Sequence, residues 1–438
     1  MKNLAKAIRD KQAKIAVIGL GYVGLPVACT FAQAGFQVFG VDRDKTKVAQ
    51  IEEGICPIGG REPGLAELLT KVIQGGKLQV RTDYTGCQET NVALVAVETP
   101  VDSVSKKPNY EALRAALAAL GLNLRRETLV VIESTIAPQT MENVVQPLLE
   151  ETSSLKADKD FYLAYCPERV MPGKLLANLR TCNRVIGGMS AQAAQLAREL
   201  YRHIVEADLD ITDSLAAELV KTTENAYRDV QIAFANEIAL LCENVGADVY
   251  EVRQLVNKSP YRTMHMPGAG VGGHCTPKDP WLLVHGAEGR REPRLIPTAR
   301  AINDNMPLHV AELAEDGLAE AGRAVKDAKV AVLGYAYLEN TGDARNSPTI
   351  PLVETLEALG ARVMIHDPHF AEYDIGLREA VADSDCVIVM VAHDEYPATD
   401  LADLREWVAT PVLIDGRNVF DKERARELGF IYKGVGNW

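Results

Sequence analysis

No apolar run in this 438-residue chain is long enough to span a bilayer. Basic residues are not in excess either. Lys and Arg number 47 against 60 Asp and Glu, a net charge of −13 that lacks the electrostatic footprint needed for nucleic acid. An anionic small molecule would instead need a local cluster of Lys and Arg. None of the eight cysteines stands in a C-x-x-C pair, so no metal site of the usual zinc spacing is expected. Residues 1–14 mix Lys, Arg and Asp without an apolar segment, which predicts a short helical or frayed lead-in rather than a secretory signal. A reduced, cytoplasmic setting follows as the simplest expectation, with most cysteines acting as small buried hydrophobes.

What remains is a globular composition, 47% hydrophobic and 24% charged, at a length that suits two or three domains. Short apolar runs recur: Lys14–Gly19, Gln37–Val41, Val92–Val97 and Thr128–Ile132, with a helical pattern over Tyr110–Leu120. Strands that read as continuous apolar runs belong to parallel sheets buried on both faces. The alternation continues through Phe161–Tyr165 and Asn183–Gly187. From Thr212 to Gly246 the pattern is one long helix, with Thr212 or Asp213 as cap and Gly246 as stop. Helical signal continues to about Asn305, interrupted by glycines at 267–273. Such a helix predicts a spine and a dimer interface.

After residue 325 the α/β rhythm returns. Ala13–Gly19 is echoed by Ala328–Gly334, Val38–Asp42 by Val363–Asp367, and Asn91–Val97 by Asp385–Val391. The echo reflects either duplication or the general likeness of parallel strands. The expected architecture is α/β: two Rossmann-like doubly wound domains, 1–205 and 323–438, joined by a long-helix central domain, 206–322.

Gly19-Leu-Gly21-Tyr22-Val23-Gly24 follows a strand and opens a helix. The first glycine allows a tight turn, the second admits a pyrophosphate to the backbone, and the third lets helix and strand approach. Asp42 ends the next strand at the distance expected of a ribose-binding carboxylate, which favours NAD over NADP. Arg43 tempers that preference.

Gly268-Ala-Gly270-Val-Gly272-Gly273-His274-Cys275-Thr-Pro-Lys278-Asp279 places four glycines before a cysteine. Thr276 and Pro277 have the form of a cap and first helical residue, which would stabilise a thiolate at Cys275. Locally, Cys275 is either a nucleophile or a packed thiol, and Asp279 either acts in the site or caps the helix. His274 reads as a hydrogen-bonded core residue. Lys221 and Asn225, four apart on the long helix, share a face. They form either an oxyanion-stabilising pair or part of a solvated surface.

Seven ordered motifs then carry a resemblance. They are G-L-G-Y-V-G at 19–24, E-S-T at 133–135, C-P-E-R-V-M-P-G at 166–173, E-L-V-K-T-T-E-N-A-Y-R-D at 218–229, G-V-G-G-H-C at 270–275, T-G-D-A-R at 341–345 and D-G-R at 415–417. Over nearly its whole length the chain resembles the UDP-sugar 6-dehydrogenases, most closely the UDP-N-acetylmannosamine branch. The resemblance implies oxidation of a C6 alcohol to a carboxylate by NAD in two steps, with Cys275 as the covalent nucleophile. It implies that Lys221 and Asn225 stabilise an oxyanion, that Asp279 and Thr135 position water, and that Glu168 serves thioester hydrolysis. Gly19, Gly21, Tyr22, Val23, Gly24, Asp42, Arg43, Thr99 and Thr135 would contact NAD. Glu168, Arg169, Val170, Lys221, Asn225, Arg262, Gly272, Arg345 and Arg417 would contact the UDP-sugar, with Asp343 in the same loop as Arg345. A homodimer or higher homo-oligomer is expected, without nucleic-acid or membrane partners.

Three positions depart from the pattern. Leu338 stands where much of the family has Lys, Lys278 is a form common in the UDP-glucose branch, and Pro172 replaces a second acid near Glu168. The sugars expected are therefore UDP-N-acetylmannosamine, then UDP-N-acetylglucosamine, then UDP-glucose. Two rival classes are a single-step hydroxyacid dehydrogenase and a non-catalytic nucleotide-sugar or NAD-binding protein. Neither needs a reactive thiol at residue 275.

Overall fold

The computed structural model describes residues 2–60, 62–289 and 291–437. The chain divides into two compact units, Met1–Glu224 with Trp281–Arg291, and Asn225–Pro280 with Glu292–Trp438. The long helix Ser214–Val245 runs through the first division.

The first unit is built on eight strands: β1 (Lys14–Ile18), β2 (Gln37–Val41), β3 (Leu78–Arg81), β4 (Val92–Val95), β5 (Leu129–Ile132), β6 (Tyr162–Tyr165), β7 (Arg184–Gly188) and β8 (Leu209–Asp213). They lie in the order β3-β2-β1-β4-β5-β6-β7-β8, parallel except for the β6–β7 pair. Alternate residues feed opposite cores. Ile15, Val17, Leu94 and Val131 pack into one, while Ala16, Ile18, Val95 and Ile132 pack into the other. Burial of both faces explains why these strands read as unbroken apolar runs. The N-terminal lead-in is the helix Lys2–Arg9, held by buried Leu4 and Ile8 one turn apart.

The second unit carries a five-stranded parallel sheet: β9 (Lys329–Leu333), β10 (Arg362–His366), β11 (Cys386–Val389), β12 (Val412–Asp415) and β13 (Ile431–Gly434). Their order is β10-β9-β11-β12-β13. Val330, Val332 and Ile388 face one core; Ala331, Leu333 and Val389 face the other.

The internal echo has a structural counterpart. Gly19 follows β1 at φ +89° and donates its N–H to Val41 O at 2.8 Å. Gly334 follows β9 at φ +99° and donates to His366 O at 2.8 Å. Asp42 Oδ2 accepts from Leu20 N, and Asp367 Oδ2 accepts from Tyr335 N. The two sheets thus repeat one strand–turn–acid device.

The long helix begins where its cap predicts, since Asp213 Oδ1 accepts from Ala216 N at 2.8 Å. It stops at Val245, before Gly246 at φ +73°. The last helix of the middle region differs from expectation. Leu295–Glu320 passes Asn305 and contains Pro307, an interior proline that reads as a breaker in sequence. Burial of Met306, Val310, Ala311, Ala314 and Leu318 in the second unit's core holds it helical. Among the described residues, no helix is long and apolar enough to cross a membrane.

Candidate active site

In the first unit the sheet order reverses between β1 and β4, where ligands of open α/β sheets collect beyond the strand ends. The glycine turn lies there. A Cβ on Gly19 would stand 2.6 Å from Ala96 O, and one on Gly24 only 1.8 Å from Gly19 O. Those two glycines are therefore required by the fold itself. Gly21 is different, because a Cβ there would meet nothing within 4 Å. Its bare backbone faces open space, the cradle that a dinucleotide pyrophosphate would fill. The residues present fit NAD.

Asp42 is buried, and its carboxylate is already in use. Oδ2 accepts from Leu20 N at 2.9 Å and Lys47 Nζ at 3.0 Å, and Oδ1 accepts from Asp44 N at 3.0 Å. Burial alone would raise its pKa, but these donors together hold it below the usual carboxylate range. Arg43 extends outward and pairs with Glu98 at 3.0 Å. Tyr22 donates its hydroxyl to Glu62, and Val23 packs partly buried against the core. Thr99 ties the loops after β4 and β5 together, donating from Oγ1 to Thr135 O at 2.6 Å.

Glu168 and Lys221, far apart in sequence, meet in the same unit. Lys221 Nζ donates to Glu168 O at 2.7 Å and lies 3.7 Å from Glu168 Oε1. Glu168 Oε2 accepts from Val170 N at 2.5 Å. Arg169 forks onto Glu224 and donates to Asn183 O at 2.7 Å.

In the second unit the glycine-rich segment is held from several sides. Asn236 accepts from Gly268 N at 2.9 Å, and Arg417 Nη2 donates to Gly270 O at 3.2 Å. Gly273 N donates to Arg345 O at 2.8 Å while its carbonyl accepts from Asn346 Nδ2 at 3.0 Å. Cβ atoms on Gly272 and Gly273 would lie 2.6 and 2.8 Å from the Tyr337 side chain. This close approach, absent from any local sequence pattern, explains the paired glycines.

Cys275 follows this segment and is half-buried. The helix expected to start at Thr276–Pro277 does not. Residues 276–278 form a turn in which Cys275 O accepts from Lys278 N and Asp279 N, and the seven-residue helix Asp279–His285 follows. Sequence pattern could not separate this turn from a first helical turn, so dipole support for the thiolate is less than the spacing suggested. Positive charge comes instead from Arg345, whose pKa is raised mainly by its bonds to Asp343, with Cys275 also contributing. Tyr337 is raised chiefly by burial, then by Asp343 and, more weakly, Cys275. The His274 pKa is lowered by burial and by neighbouring Lys278 and Arg345.

Asp279 is the first residue of the helix Asp279–His285. It is fully buried, accepts from Asn225 Nδ2 at 2.5 Å, and pairs with Lys278 Nζ at 2.7 Å. Arg345 grips Asp343 with Nε and Nη2 at 2.6–3.0 Å. Arg417 also donates to Met390 O at 2.8 Å, and burial lowers its pKa. Arg262 is exposed and reaches its own loop carbonyls, Pro260 O and Tyr261 O, at 3.4 Å.

The sequence matches the NAD binding domain of the UDP-glucose/GDP-mannose dehydrogenase family over residues 13–205, its central domain over 215–305 and its UDP binding domain over 331–422. The chain belongs to this family. A UDP-N-acetyl-D-mannosamine dehydrogenase of Pyrococcus horikoshii is 38% identical over 97% of this chain and 99% of its own length. The solved structure of UDP-D-ManNAc dehydrogenase from that organism has a TM-score of 0.92, with 38% identity and the same coverage of both chains. That of an NDP-N-acetyl-D-galactosaminuronic acid dehydrogenase from Methanosarcina mazei Go1 has a TM-score of 0.87 at 36% identity, covering 99% of this chain and 98% of its own.

Several residues of this dehydrogenase escaped the sequence reading. Glu133, Arg184 and Tyr201 form a buried cluster beneath the E-S-T and C-P-E-R segments, with Arg184 Nη1 3.3 Å from Glu133 Oε1. Burial raises the Glu133 pKa against the opposing pull of Arg184. In the second unit Asp229, Arg300 and Asn303 link the long helix to Leu295–Glu320, and Asn303 accepts from Asn236, the residue that holds Gly268. Glu62 and Tyr337 carry no periodic signal. Their only marks are an acid within a Gly/Pro turn and an aromatic just ahead of T-G-D-A-R.

Proposed function

We propose that the enzyme oxidises UDP-N-acetyl-D-mannosamine to UDP-N-acetyl-D-mannosaminuronate in two NAD-dependent steps, with Cys275 as the covalent nucleophile. The observation that carries this reading is the Cys275 segment, pinned by Asn236, Arg417, Asn346 and Tyr337 in a chain that also carries an open glycine cradle. The names of the relatives support the sugar.

NAD, when bound, accepts a hydride from the sugar C6 at each oxidation. Gly19, Gly21 and Gly24 shape its cradle, Tyr22, Val23 and Arg43 border it, and Asp42 faces the ribose. Thr99 and Thr135 order the adjoining loop. The first oxidation turns the alcohol into an aldehyde and releases the hydroxyl proton. The Cys275 thiolate then adds to the carbonyl carbon, and the resulting oxyanion is stabilised by Lys221 and Asn225. Loss of the second hydride leaves a thioester on Cys275. Water positioned by Asp279 and Thr135, with Glu168 assisting, cleaves it to the acid and restores the thiol. The balance is one alcohol, one water and two NAD giving one carboxylate, two NADH and three protons. Arg169, Val170, Arg262, Gly272, Arg345 and Arg417 hold the substrate, the arginines facing its diphosphate.

We read residues 1–205 as the NAD domain, 206–322 as the central domain, and 323–438 as the UDP-sugar domain. A second copy of the chain covers the outward stripe of the long helix, where Tyr227, Phe234, Leu241 and Val245 are all more than half exposed at helical spacing. The cytoplasm, where a reactive thiol stays reduced, is the proposed compartment.

NADH released per limiting UDP-sugar tests the chemistry. Two per sugar supports the covalent route, whereas one indicates a single-step dehydrogenase. A panel of UDP-N-acetylmannosamine, UDP-N-acetylglucosamine and UDP-glucose ranks the substrates, and no NADH with any of them would leave a binding protein.

A further inference from the structure

Glu62 lies just ahead of the helix Leu65–Gln74, and none of the steps above employs it. Its Oε1 accepts from the Tyr22 hydroxyl and from Gly173 N at 2.7 Å, and its Oε2 accepts from Leu175 N at 3.2 Å. Tyr22 belongs to the glycine turn after β1. Gly173 closes the segment Cys166–Gly173 that carries Glu168 and Arg169. One half-buried carboxylate therefore bonds both elements, separated by about 150 residues of chain, a distance over which only tertiary contact can couple them. Val23 of the turn and Val170 of the segment, with Ile58 and Leu176, pack partly buried against one hydrophobic core.

We propose that Glu62 is a positioning residue that ties the dinucleotide turn to the Glu168 loop, so that filling the turn orders the loop. The proposal rests on reading the chain as an NAD-dependent UDP-sugar dehydrogenase. An ionised carboxylate is acceptor-only, which suits three donors on two oxygens. An amide at this position retains one accepting oxygen and turns an NH₂ towards the remaining donor. Glu62→Gln therefore separates the tie from mere bulk, and Tyr22→Phe removes one of its bonds while keeping the ring.

Amide hydrogen exchange at Gly173 and Leu175, with and without NAD, is the direct readout. In the unaltered enzyme NAD should slow exchange at both amides by roughly tenfold, the worth of about one hydrogen bond. In Glu62→Gln and Tyr22→Phe that NAD-dependent slowing should largely vanish. Glu62→Gln should also raise KM for NAD and, with UDP-sugar, increase the fraction of enzyme carrying the thioester by intact mass. Glu62→Asp should restore part of each effect. Full NAD-dependent protection in either variant overturns the tie. If Glu62→Gln fails to fold, Tyr22→Phe decides alone. If the unaltered enzyme binds NAD but oxidises no UDP-sugar, the functional reading falls while the exchange comparison still decides the role of Glu62. Absence of NAD-dependent protection in the unaltered enzyme overturns the proposal.

Discussion

Asn225 donates its side-chain amide to Asp279 Oδ2 across 2.5 Å, and Lys278 stands 2.7 Å from the other carboxylate oxygen. Asp279 is fully buried, so the Asn225 amide replaces water at one oxygen and the Lys278 charge offsets the desolvation of the other. Asn225→Asp exchanges a donor for a second carboxylate in the same enclosed space. At about pH 8 the variant should lose on the order of 3 kcal/mol of stability. Near pH 5 protonation of the introduced carboxyl relieves the repulsion, so the deficit should shrink. Denaturant unfolding at both pH values measures this, and an equal deficit at each would refute the electrostatic account.

Cys275 offers a separate test because its segment is held by neighbours rather than by its own thiol. Asn236, Arg417 and Asn346 all bond backbone groups at Gly268–Gly273. Cys275→Ala should therefore fold with an unchanged melting temperature and still bind NAD and UDP-sugar. NADH formation at saturating substrate should fall by roughly a thousandfold or more, the scale seen when a catalytic nucleophile is removed. Near-normal turnover by this variant would end the covalent mechanism.

Asp42 combines two duties. Its oxygens accept from Leu20 N in the glycine turn and from Lys47, and in the proposed function the same carboxylate also meets the ribose. Asp42→Ala should raise KM for NAD and, by exposing Lys47 and leaving Arg43 in reach, shift the NADP-to-NAD preference at least about tenfold towards NADP. Paired kcat/KM values for the two cofactors give the answer. A uniform loss with both would leave Asp42 with the structural duty alone.

How far each feature could be read in the sequence follows from the range of the interactions behind it. The long helix was legible because Asp213 and Gly246 mark its ends locally, and the sheets because burial on both faces writes unbroken apolar runs. The end of the last middle helix was not legible, because packing against the second sheet carries it through Pro307 and past Asn305. The start of the helix after Cys275 misled because Thr276-Pro277 fits both a turn and a first helical residue. At the site, glycine patterning exposed Gly19–Gly24 and Gly268–Gly273. It could not show that Tyr337 presses on Gly272, or that Glu62 reaches Gly173. Such contacts join single residues distant in the chain, where no periodicity records them.

Glu218 lies one turn before Lys221 and supplies the last prediction. It is 1% exposed, and its carboxylate accepts from Gln139 N and Met141 N, each at 2.8 Å. Burial dominates over these donors and raises its pKa from 4.5 to about 7. Below pH 4.5 the carboxyl is protonated in both folded and unfolded chains, so it adds no pH dependence. Between 4.5 and about 7 the folded chain binds more protons, and stability falls as pH rises. Above that window the cost is complete. Glu218→Gln removes this titration but leaves one accepting oxygen for two N–H groups, a penalty that does not vary with pH. The stability of the variant relative to the unaltered enzyme should therefore improve by on the order of 2 kcal/mol between about pH 5 and pH 8. Parallel stability curves across that range would show that Glu218 is not held protonated by its burial.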